Sequence, residues 1–468
     1  MEGNATTFFS TVNLVKTIVG AGMLAIPFAF RNFGVLVGVI LTLFASVTSG
    51  FGLFVLAKCS KTLKDPRSSS FFTLCSITYP SLSLLFDFSM FIQCYGTNLS
   101  YLILVGDLFP GIVGGTREGW ILGSSVVILP LVLVKKLDSL KYSSILGLFA
   151  IAYMVGLVAG SFMENVLLTD GYKTIRGEVS WIRVYDLKGL ISTFSIVIFA
   201  YTGSMNIFSI VNELRDNSMK NINKVIITTM STSSVLFLIV GLCGYLTFGS
   251  NVVGNIMLNY DQDSTFTKVG QLCLGVMVTL SFPLLFHPSR VAANNMIYWI
   301  MLNFGKCEDH NAPHHEHTHT ATPISMNIEE EEDRLVLGND NGYYSTTSHD
   351  ADEELQQTRS LQAAGAVPFP DFRFYLITTI MIFSLYLLAL NVKSFALVLG
   401  VVGATGSTAI SFTLPGLFGY KLIGSEAARN GKLMSKSDQF FKFFSLLLTI
   451  YGIIVMCLSL YVTLKFGP

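Results

Sequence analysis

Long apolar stretches recur along almost the whole chain, and short clusters of charged and turn-forming residues separate them. A helix needs about 20 mostly apolar residues to cross the hydrocarbon core of a bilayer, and each stretch is close to that length. The pattern therefore predicts eleven transmembrane helices. These spans, one to eleven in chain order, cover residues 8–30, 34–57, 82–109, 119–134, 142–163, 189–212, 222–248, 267–286, 372–391, 394–418 and 440–464.

One segment interrupts this pattern between spans eight and nine. Residues 305–371 contain the runs HNAPHHEHTHT and EEEED and almost no large aliphatic residues. Such a segment cannot bury enough apolar surface to offset its ordering entropy, so we expect a disordered cytosolic loop. The five His residues within 310–319 lack Cys partners, which favours a solvated tract over a weak metal site. The predicted domains are residues 1–304 with spans one to eight, this loop, and residues 372–468 with spans nine to eleven.

Composition and charge agree with a membrane protein. Hydrophobic residues make up 51% of the chain, charged residues 13%, and the mean hydropathy is +0.58. The formal net charge is zero, but residues 305–371 hold three basic and fourteen acidic residues, so the remainder is basic and no nucleic-acid partner is implied. Fourteen basic residues fall in loops on the side of the N-terminus and eight on the other side. The positive-inside rule then predicts a cytosolic N-terminus and, with an odd number of spans, a C-terminus on the opposite side.

Two of the spans carry residues that break a helix near mid-depth. Span one contains Gly20 and Gly22 with Pro27 about a turn later, and span six contains the run Tyr201 to Ser204. Backbone groups without partners are costly in hydrocarbon, so interrupted helices in a membrane serve a purpose. The breaks lie five spans apart, as in two inverted repeats with a site at their interface. The predicted fold is an all-α integral membrane protein with a five-plus-five inverted repeat of broken-helix type and one extra helix.

Unwound backbone at mid-membrane offers a specific kind of binding site. Free N–H groups at the start of a half-helix bind a carboxylate, and free C=O groups at the end of a half-helix bind an ammonium group or a cation. A zwitterionic amino acid presents both groups on one carbon atom. Close helix packing explains a single Gly-x-Gly equally well, but two breaks at matched positions favour a binding site.

Other function classes lack their signatures. The spans contain no nucleophile with a facing base, no paired aspartyl motif, and no His and Glu at metal-ligand spacing, so an enzyme and a metal site are not expected. No phosphate-binding Gly-rich loop is present, which argues against an ATP-driven pump, and no cofactor is expected. A channel, or a transporter-like sensor that keeps the site without net transport, remains the alternative to a carrier.

Four segments resemble the amino acid/auxin permease family, and the likeness is greatest to its fungal vacuolar amino acid transporters. They are NLVKTIVGAGMLAIPFAF, FAYTGSMNIFSIVNEL, SFPLLFHPSR and GATGSTAISFTLPG. The resemblance implies a LeuT-like fold and secondary active transport of amino acids by alternating access, usually coupled to protons. It also implies a location in the fungal vacuolar membrane, among membrane lipid, with the C-terminus in the lumen.

The resemblance also implies the residues of the substrate site. The substrate carboxylate would meet backbone N–H groups of Ala21, Gly22 and Met23, with Gly20 in the same break. The ammonium group would meet carbonyls near Thr17, Ile18, Phe199 and Ala200. Side-chain selectivity would come from Tyr201, Thr202 and Ser204 beside Gly203, and from Tyr95 or Asn98 on span three, where interhelical hydrogen bonding is an equal alternative.

The coupling ion is predicted from residues near the first break. Lys16 lies about a turn before it; as a fixed cation it would substitute for a bound sodium ion, although a structural ion pair explains it equally well. A sodium site would instead use the carbonyl of Val19 with hydroxyls of Thr279 and Ser281. Hydroxyls in membrane helices usually bond to their own backbone, so protons are favoured over sodium. The other ionisable residues within or at the ends of the predicted spans are Asp87, Asp107, Glu213 and His287.

Overall fold

The computed structural model describes residues 5–63, 66–133, 142–168, 175–182, 184, 186–304, 369–425 and 433–467. Within these residues the regular structure is helical, apart from one isolated parallel bridge between Ala5 and Leu214. Most of the predicted acidic loop at 305–371 lies outside the described residues, which resume at Phe369.

Eight α-helices lie in the first part of the chain. They are α1 Thr7–Ile18, α2 Ile26–Phe33, α3 Val35–Ser60, α4 Phe71–Thr78, α5 Ser83–Val113, α6 Arg117–Gly123, α7 Ser125–Leu133 and α8 Tyr142–Phe162, which continues into a π-helical turn, Met163–Leu168.

Eight more follow in the second part. They are α9 Leu187–Ala200, α10 Ile207–Glu213, α11 Met219–Phe248, α12 Thr265–Phe304, α13 Asp371–Asn391, α14 Phe395–Val402, α15 Leu414–Leu422 and α16 Lys436–Phe466. Short 3₁₀ turns lie between some of them, at Ala21–Ala25, Ser204–Asn206, Gly249–Asn251 and Ile256–Leu258.

The described helices account for ten of the eleven predicted spans by length and apolar composition. Nine stretches are long and apolar enough, two of which are α9 with α10 and α14 with α15, and α1 with α2 forms a tenth that bends by 45°. The predicted span at 119–134 corresponds instead to α6 and α7, which meet at Ser124. The Ser124 hydroxyl donates to the carbonyl of Ile121 at 2.6 Å and also contacts the Tyr386 hydroxyl at 3.1 Å, which anchors this junction to α13.

The first break separates α1 from α2. Helix α1 ends at Ile18, Val19 leaves the helical region with φ −83° and ψ 58°, and Gly20 follows with φ −92° and ψ −149°. The chain re-enters a helix through the 3₁₀ turn Ala21–Ala25. Pro27 lies in the first turn of α2, where a missing N–H costs nothing.

The second break separates α9 from α10. Tyr201 has φ −86° and ψ 7°, Gly203 has φ −123° and ψ 0°, and a 3₁₀ turn starts at Ser204 before α10 begins. Both interruptions therefore lie where Gly and small polar residues predicted them. Val19 and Tyr201 are each 0% exposed, so both breaks are in the core of the helix bundle.

A third irregular segment was not predicted. Residues Gly403–Ser407 and Ala409–Thr413, between α14 and α15, are π-helical, although the sequence predicts one uninterrupted span there. The cause is close packing against α9. A Cβ atom on Gly403 would lie 1.9 Å from the carbonyl oxygen of Ser195, so the two backbones touch directly. Segments of π-helix are frequent at functional sites.

Candidate functional site

The two breaks pack against each other through their glycines. A Cβ atom on Gly22 would lie 3.0 Å from Cα of Ala200 and 3.2 Å from Cδ1 of Phe199. A Cβ atom on Gly203 would lie 2.9 Å from Cγ1 of Ile18. Each glycine thus lies against the end of the opposite half-helix. The predicted pairing of the breaks is present as a direct contact.

A side-chain hydrogen bond also joins the breaks. The Asn206 amide donates to the Thr17 hydroxyl at 2.6 Å, and that hydroxyl donates to the carbonyl of Asn13 at 3.0 Å. The sequence analysis missed Asn206. Asn206 is recognisable in the sequence as a side-chain amide within the apolar run after Ser204. An unpaired polar group is costly there, so a partner is expected.

Free backbone donors open the half-helix after the first break. The N–H of Met23 bonds to the carbonyl of Gly20 at 3.2 Å, whereas the N–H groups of Ala21 and Gly22 have no partner within the described ranges. Both residues are buried, so water does not readily satisfy these donors. They are suited to binding an anionic group at a helix N-terminus.

Carbonyl acceptors end the other two half-helices. Ile18 accepts from the N–H of Gly20 at 2.9 Å, and Phe199 accepts from the N–H of Thr202 at 3.1 Å. The carbonyls of Thr17 and Ala200 accept no further backbone bond across the breaks in the part of the chain that the structure describes. Each carbonyl has two lone pairs, so this set retains the capacity to bind an ammonium group.

The predicted selectivity residues of the second break lie in different directions. The Tyr201 hydroxyl donates to Ser234 of α11 at 3.0 Å, and Ser234 donates to Ser46 of α3 at 2.8 Å. Thr202 bonds back to the carbonyl of Ile198 at 3.0 Å. Ser204 contacts the Ser411 hydroxyl of the π-helical segment at 3.4 Å. The Tyr201 ring and hydroxyl therefore pack towards α3 and α11.

This placement gives a test of Tyr201. We expect Tyr201→Phe to keep transport within about threefold of the unaltered chain, because Ser234 retains its bonds to Ser46 and to the carbonyl of Met230. The lost hydrogen bond costs about 1 kcal/mol of stability. Uptake rates and substrate competition in proteoliposomes measure the effect. A changed substrate preference in a folded variant would show that this hydroxyl contacts the substrate.

The two candidates on span three are arranged differently. The Tyr95 hydroxyl bonds to Ser384 of α13 at 2.7 Å, and its ring stacks on Phe91. Asn98 is 0% exposed, and neither its amide nitrogen nor its oxygen has a hydrogen-bond partner among the described residues. A buried amide without a partner is costly, which makes Asn98 the stronger substrate-binding candidate of the two.

Span three contacts both the second break and the π-helical segment. Cys94, one turn before Asn98, lies with its sulfur 3.4 Å from that of Met205. The Ser407 hydroxyl donates to Gln93 at 2.7 Å. A Cβ atom on Gly406 would lie 2.7 Å from the backbone nitrogen of Gln93. These contacts fix α5 beside the breaks.

The predicted coupling residues lie on α1, in the first break and on α12. The Lys16 side chain runs along α8, where a Cβ atom on Gly147 would lie 2.8 Å from its Cε. Val19 is buried in the first break, and its N–H donates to the carbonyl of Val15 at 2.7 Å. On α12 the Thr279 hydroxyl donates to the carbonyl of Gly275 at 2.7 Å, and Ser281 is half-buried. The backbone bond accounts for the Thr279 hydroxyl without a bound ion.

Polar contacts hold the helix ends together on the face where α1 begins. Ala5 pairs with the chain after α10: its N–H donates to Glu213 at 3.0 Å and its carbonyl accepts from Arg215 at 2.9 Å. Arg67 donates to the carbonyl of Asn212 at 3.0 Å, and Lys61 bonds to Asn217. Burial, with a smaller contribution from Arg67, lowers the pKa of Lys61. The start of the first broken span and the end of the second are therefore tied to one loop cluster.

The opposite face is closed by a second set of contacts. Arg117 lies 3.4 Å from the Asp107 carboxylate and donates to the carbonyl of Val392 at 3.1 Å. Arg31 at the end of α2 donates to the carbonyl of Val252 at 3.1 Å. A cavity of about 730 Å³ also lies towards this face, lined by α8, the loop before α12 and the start of α12, and not by the breaks.

Comparisons with known proteins agree with this arrangement. A family model described as "Transmembrane amino acid transporter protein" matches residues 3–458. Vacuolar amino acid transporter 7 of Saccharomyces cerevisiae is 54% identical, over 99% of this chain and 98% of its own length. Vacuolar amino acid transporter 6 of the same yeast is 34% identical, over 97% of this chain and 98% of its own.

A solved structure shares the fold. It is the substrate-bound, outward-open state of a Na⁺-coupled sialic acid symporter, with a TM-score of 0.51 and 12% identity over 99% of this chain and 91% of the other. The broken-helix, LeuT-like class is thereby confirmed, and so is the expectation of a transporter rather than an enzyme. With paired breaks in its core and the family model matched over nearly its whole length, this chain belongs to the transmembrane amino acid transporter family.

Proposed function

We propose that this chain is a secondary active transporter that moves amino acids between vacuole lumen and cytosol by alternating access, coupled to protons. The observation that carries the proposal is the pair of facing breaks. They present unpaired N–H groups at Ala21 and Gly22 within packing distance of the Phe199 and Ala200 end of α9. The N–H groups suit the carboxylate of an amino acid, and the carbonyls at the end of α9 suit its ammonium group. No charged side chain is then needed within the membrane to bind it.

The location and orientation follow from the relatives and the charges. The two yeast relatives are named as vacuolar amino acid transporters. Basic residues gather on the face where α1 begins, where Lys61 and Arg67 bond to the loop after α10. The positive-inside rule makes that face cytosolic and the opposite face lumenal.

Protons are favoured over sodium for coupling. Hydroxyls in membrane helices usually bond to their own backbone, as Thr279 does to Gly275 at 2.7 Å, so its presence on α12 is explained without a sodium site beside Val19. The chain also carries buried carboxyl groups that are able to bind a proton, Asp87 and Asp107, which are 6% exposed and half-buried, respectively.

Transport by purified protein in proteoliposomes tests the proposal. We expect radiolabelled amino acids to accumulate under an imposed pH gradient, to show counterflow at equal pH, and to lose accumulation when a proton ionophore is added. Protein-free liposomes are the control, and replacing sodium by choline should leave uptake unchanged. Binding of amino acids without uptake or counterflow would contradict the carrier and favour a sensor. Dependence of uptake on sodium would contradict proton coupling.

A further inference from the structure

Asp87 is a buried carboxylate near the start of α5, close to the face where α1 begins. It is 6% exposed, and its Oδ1 accepts a hydrogen bond from the Asn295 amide of α12 at 3.1 Å. No lysine, arginine or histidine pairs with it within the described residues. An ionised carboxylate is costly to bury without a cation, so its surroundings do not fix it in the charged form.

Asp107, the carboxylate near the other end of α5, has a cation beside it. Asp107 lies 3.4 Å from the guanidinium of Arg117. A nearby cation favours the ionised form of a carboxyl group. Asp107 therefore has a cation beside it that favours its charged form, whereas Asp87 has none among the described residues.

The charged groups of the elements around Asp87 are engaged elsewhere. Arg290 of α12 donates to Val132 at 3.2 Å and Thr378 at 3.1 Å. Next to it, His287 lies 3.3 Å from the Arg290 guanidinium. Lys421 of α15 bonds to the carbonyl at the end of α4, and the other titratable group towards Asp87 is the thiol of Cys75 on α4.

The hydrogen-bond partner of Asp87 tolerates both protonation states. The Asn295 side chain carries a donor NH₂ and an acceptor oxygen, and a flip of the amide exchanges them. It donates to a carboxylate and accepts from a carboxylic acid. A cation in this position would stabilise only the charged state.

One face of α5 connects Asp87 with the substrate region. Cys94 follows seven residues later and Asn98 eleven residues later, and both offsets return to nearly the same face of an α-helix. Cys94 contacts Met205 of the second break at 3.4 Å, and Asn98 is the buried amide without a partner. The distance from Asp87 to Cys94 along the helix is about 10 Å.

We propose that Asp87 is the proton-binding residue that couples transport to the pH gradient. The carboxylate takes up one proton from water on one side of the membrane, forming a carboxylic acid, and releases it to water on the other side after the conformational change. Protonation removes the buried charge at the contact between α5 and α12. The same face of α5 touches the second break. The charge on Asp87 and the presence of substrate at the breaks therefore both act on this helix. This inference rests on the proposed carrier function.

The test is Asp87→Asn in proteoliposomes, with a pH-sensitive dye inside. We expect accumulation driven by a pH gradient, and proton flux driven by amino acid, to fall at least tenfold, while counterflow at equal pH falls by less. Asp438→Asn is the matched control, because Asp438 is a carboxylate paired with Lys58 at 2.7 Å away from the breaks. It should retain both pH-driven accumulation and proton flux.

The outcomes are separable. Undiminished proton flux in Asp87→Asn would overturn the coupling role, whereas absent counterflow in the unaltered chain would overturn the carrier function itself. If Asp87→Asn does not fold, Asp87→Glu decides, because it keeps an ionisable group with a different reach. A shifted pH profile of uptake with proton flux retained supports the assignment, and an unshifted profile contradicts it.

Discussion

Gly22→Val is expected to abolish amino acid uptake while the protein still folds and reaches its membrane. A side chain at this position would meet the backbone of Ala200 at 3.0 Å and the ring of Phe199 at 3.2 Å, so the breaks must separate. Overpacking of this kind costs about 1–3 kcal/mol, and each 1.4 kcal/mol is about tenfold in binding. At the upper end of that range uptake and counterflow fall about a hundredfold, to background, measured on equal amounts of monodisperse protein.

Gly156→Val is the matched control for this variant. Gly156 lies on α8, and a Cβ atom there meets nothing within 4 Å, so the same change adds the same atoms without a clash. We expect transport close to that of the unaltered chain. Normal transport by Gly22→Val would show that the contact between the breaks is not the substrate site.

Gly403→Ala is expected to destabilise the folded protein strongly for the addition of a single methyl group. Its Cβ would lie 1.9 Å from the carbonyl oxygen of Ser195 and 2.7 Å from the carbonyl carbon. Neither atom is able to move as a flexible side chain does, so the π-helical segment and α9 must shift apart. We expect a loss of about 3 kcal/mol and an apparent Tm several degrees lower, measured in detergent at a fixed scan rate.

Gly400→Ala provides the comparison on the same two helices. Gly400 lies one turn earlier and also faces α9, but a Cβ there would lie 3.3 Å from Cγ2 of Thr463 and 3.7 Å from Oγ of Ser195. These contacts are with side chains, and the change should alter Tm little. Equal Tm values for the two variants would contradict direct backbone contact at Gly403.

The breaks were predictable because their cause is local. A helix is weakened by the backbone preferences of Gly20 and Gly22 in span one and of the run from Tyr201 to Gly203 in span six. Such residues stand out in an apolar sequence, because a broken helix is costly in a bilayer. The π-helical segment after α14 was not predictable in this way. It depends on how closely Gly403 approaches α9, and Gly in a membrane helix does not reveal which neighbour it meets.

The site side chains were only partly predictable for the same reason. The two breaks touch through Gly22 and Gly203, but the bond from Asn206 to Thr17 was not foreseen, and Tyr201 packs against α3 and α11. The direction of a side chain depends on the rotation of its helix about its own axis. Neighbouring spans fix that rotation through packing, and an apolar run shows no preferred face.

The amino-acid sequence alone identifies this chain as a helical membrane protein with two spans interrupted five spans apart. A bilayer requires each spanning helix to contain about 20 mostly apolar residues. It also makes an interrupted helix costly unless the free backbone groups find other partners. Two features appear only in the folded protein: the breaks touch through Gly22 and Gly203, and Asp87 is buried against Asn295 with no cation beside it among the described residues. Those contacts join residues far apart in the chain, and only the packing of whole helices brings them together.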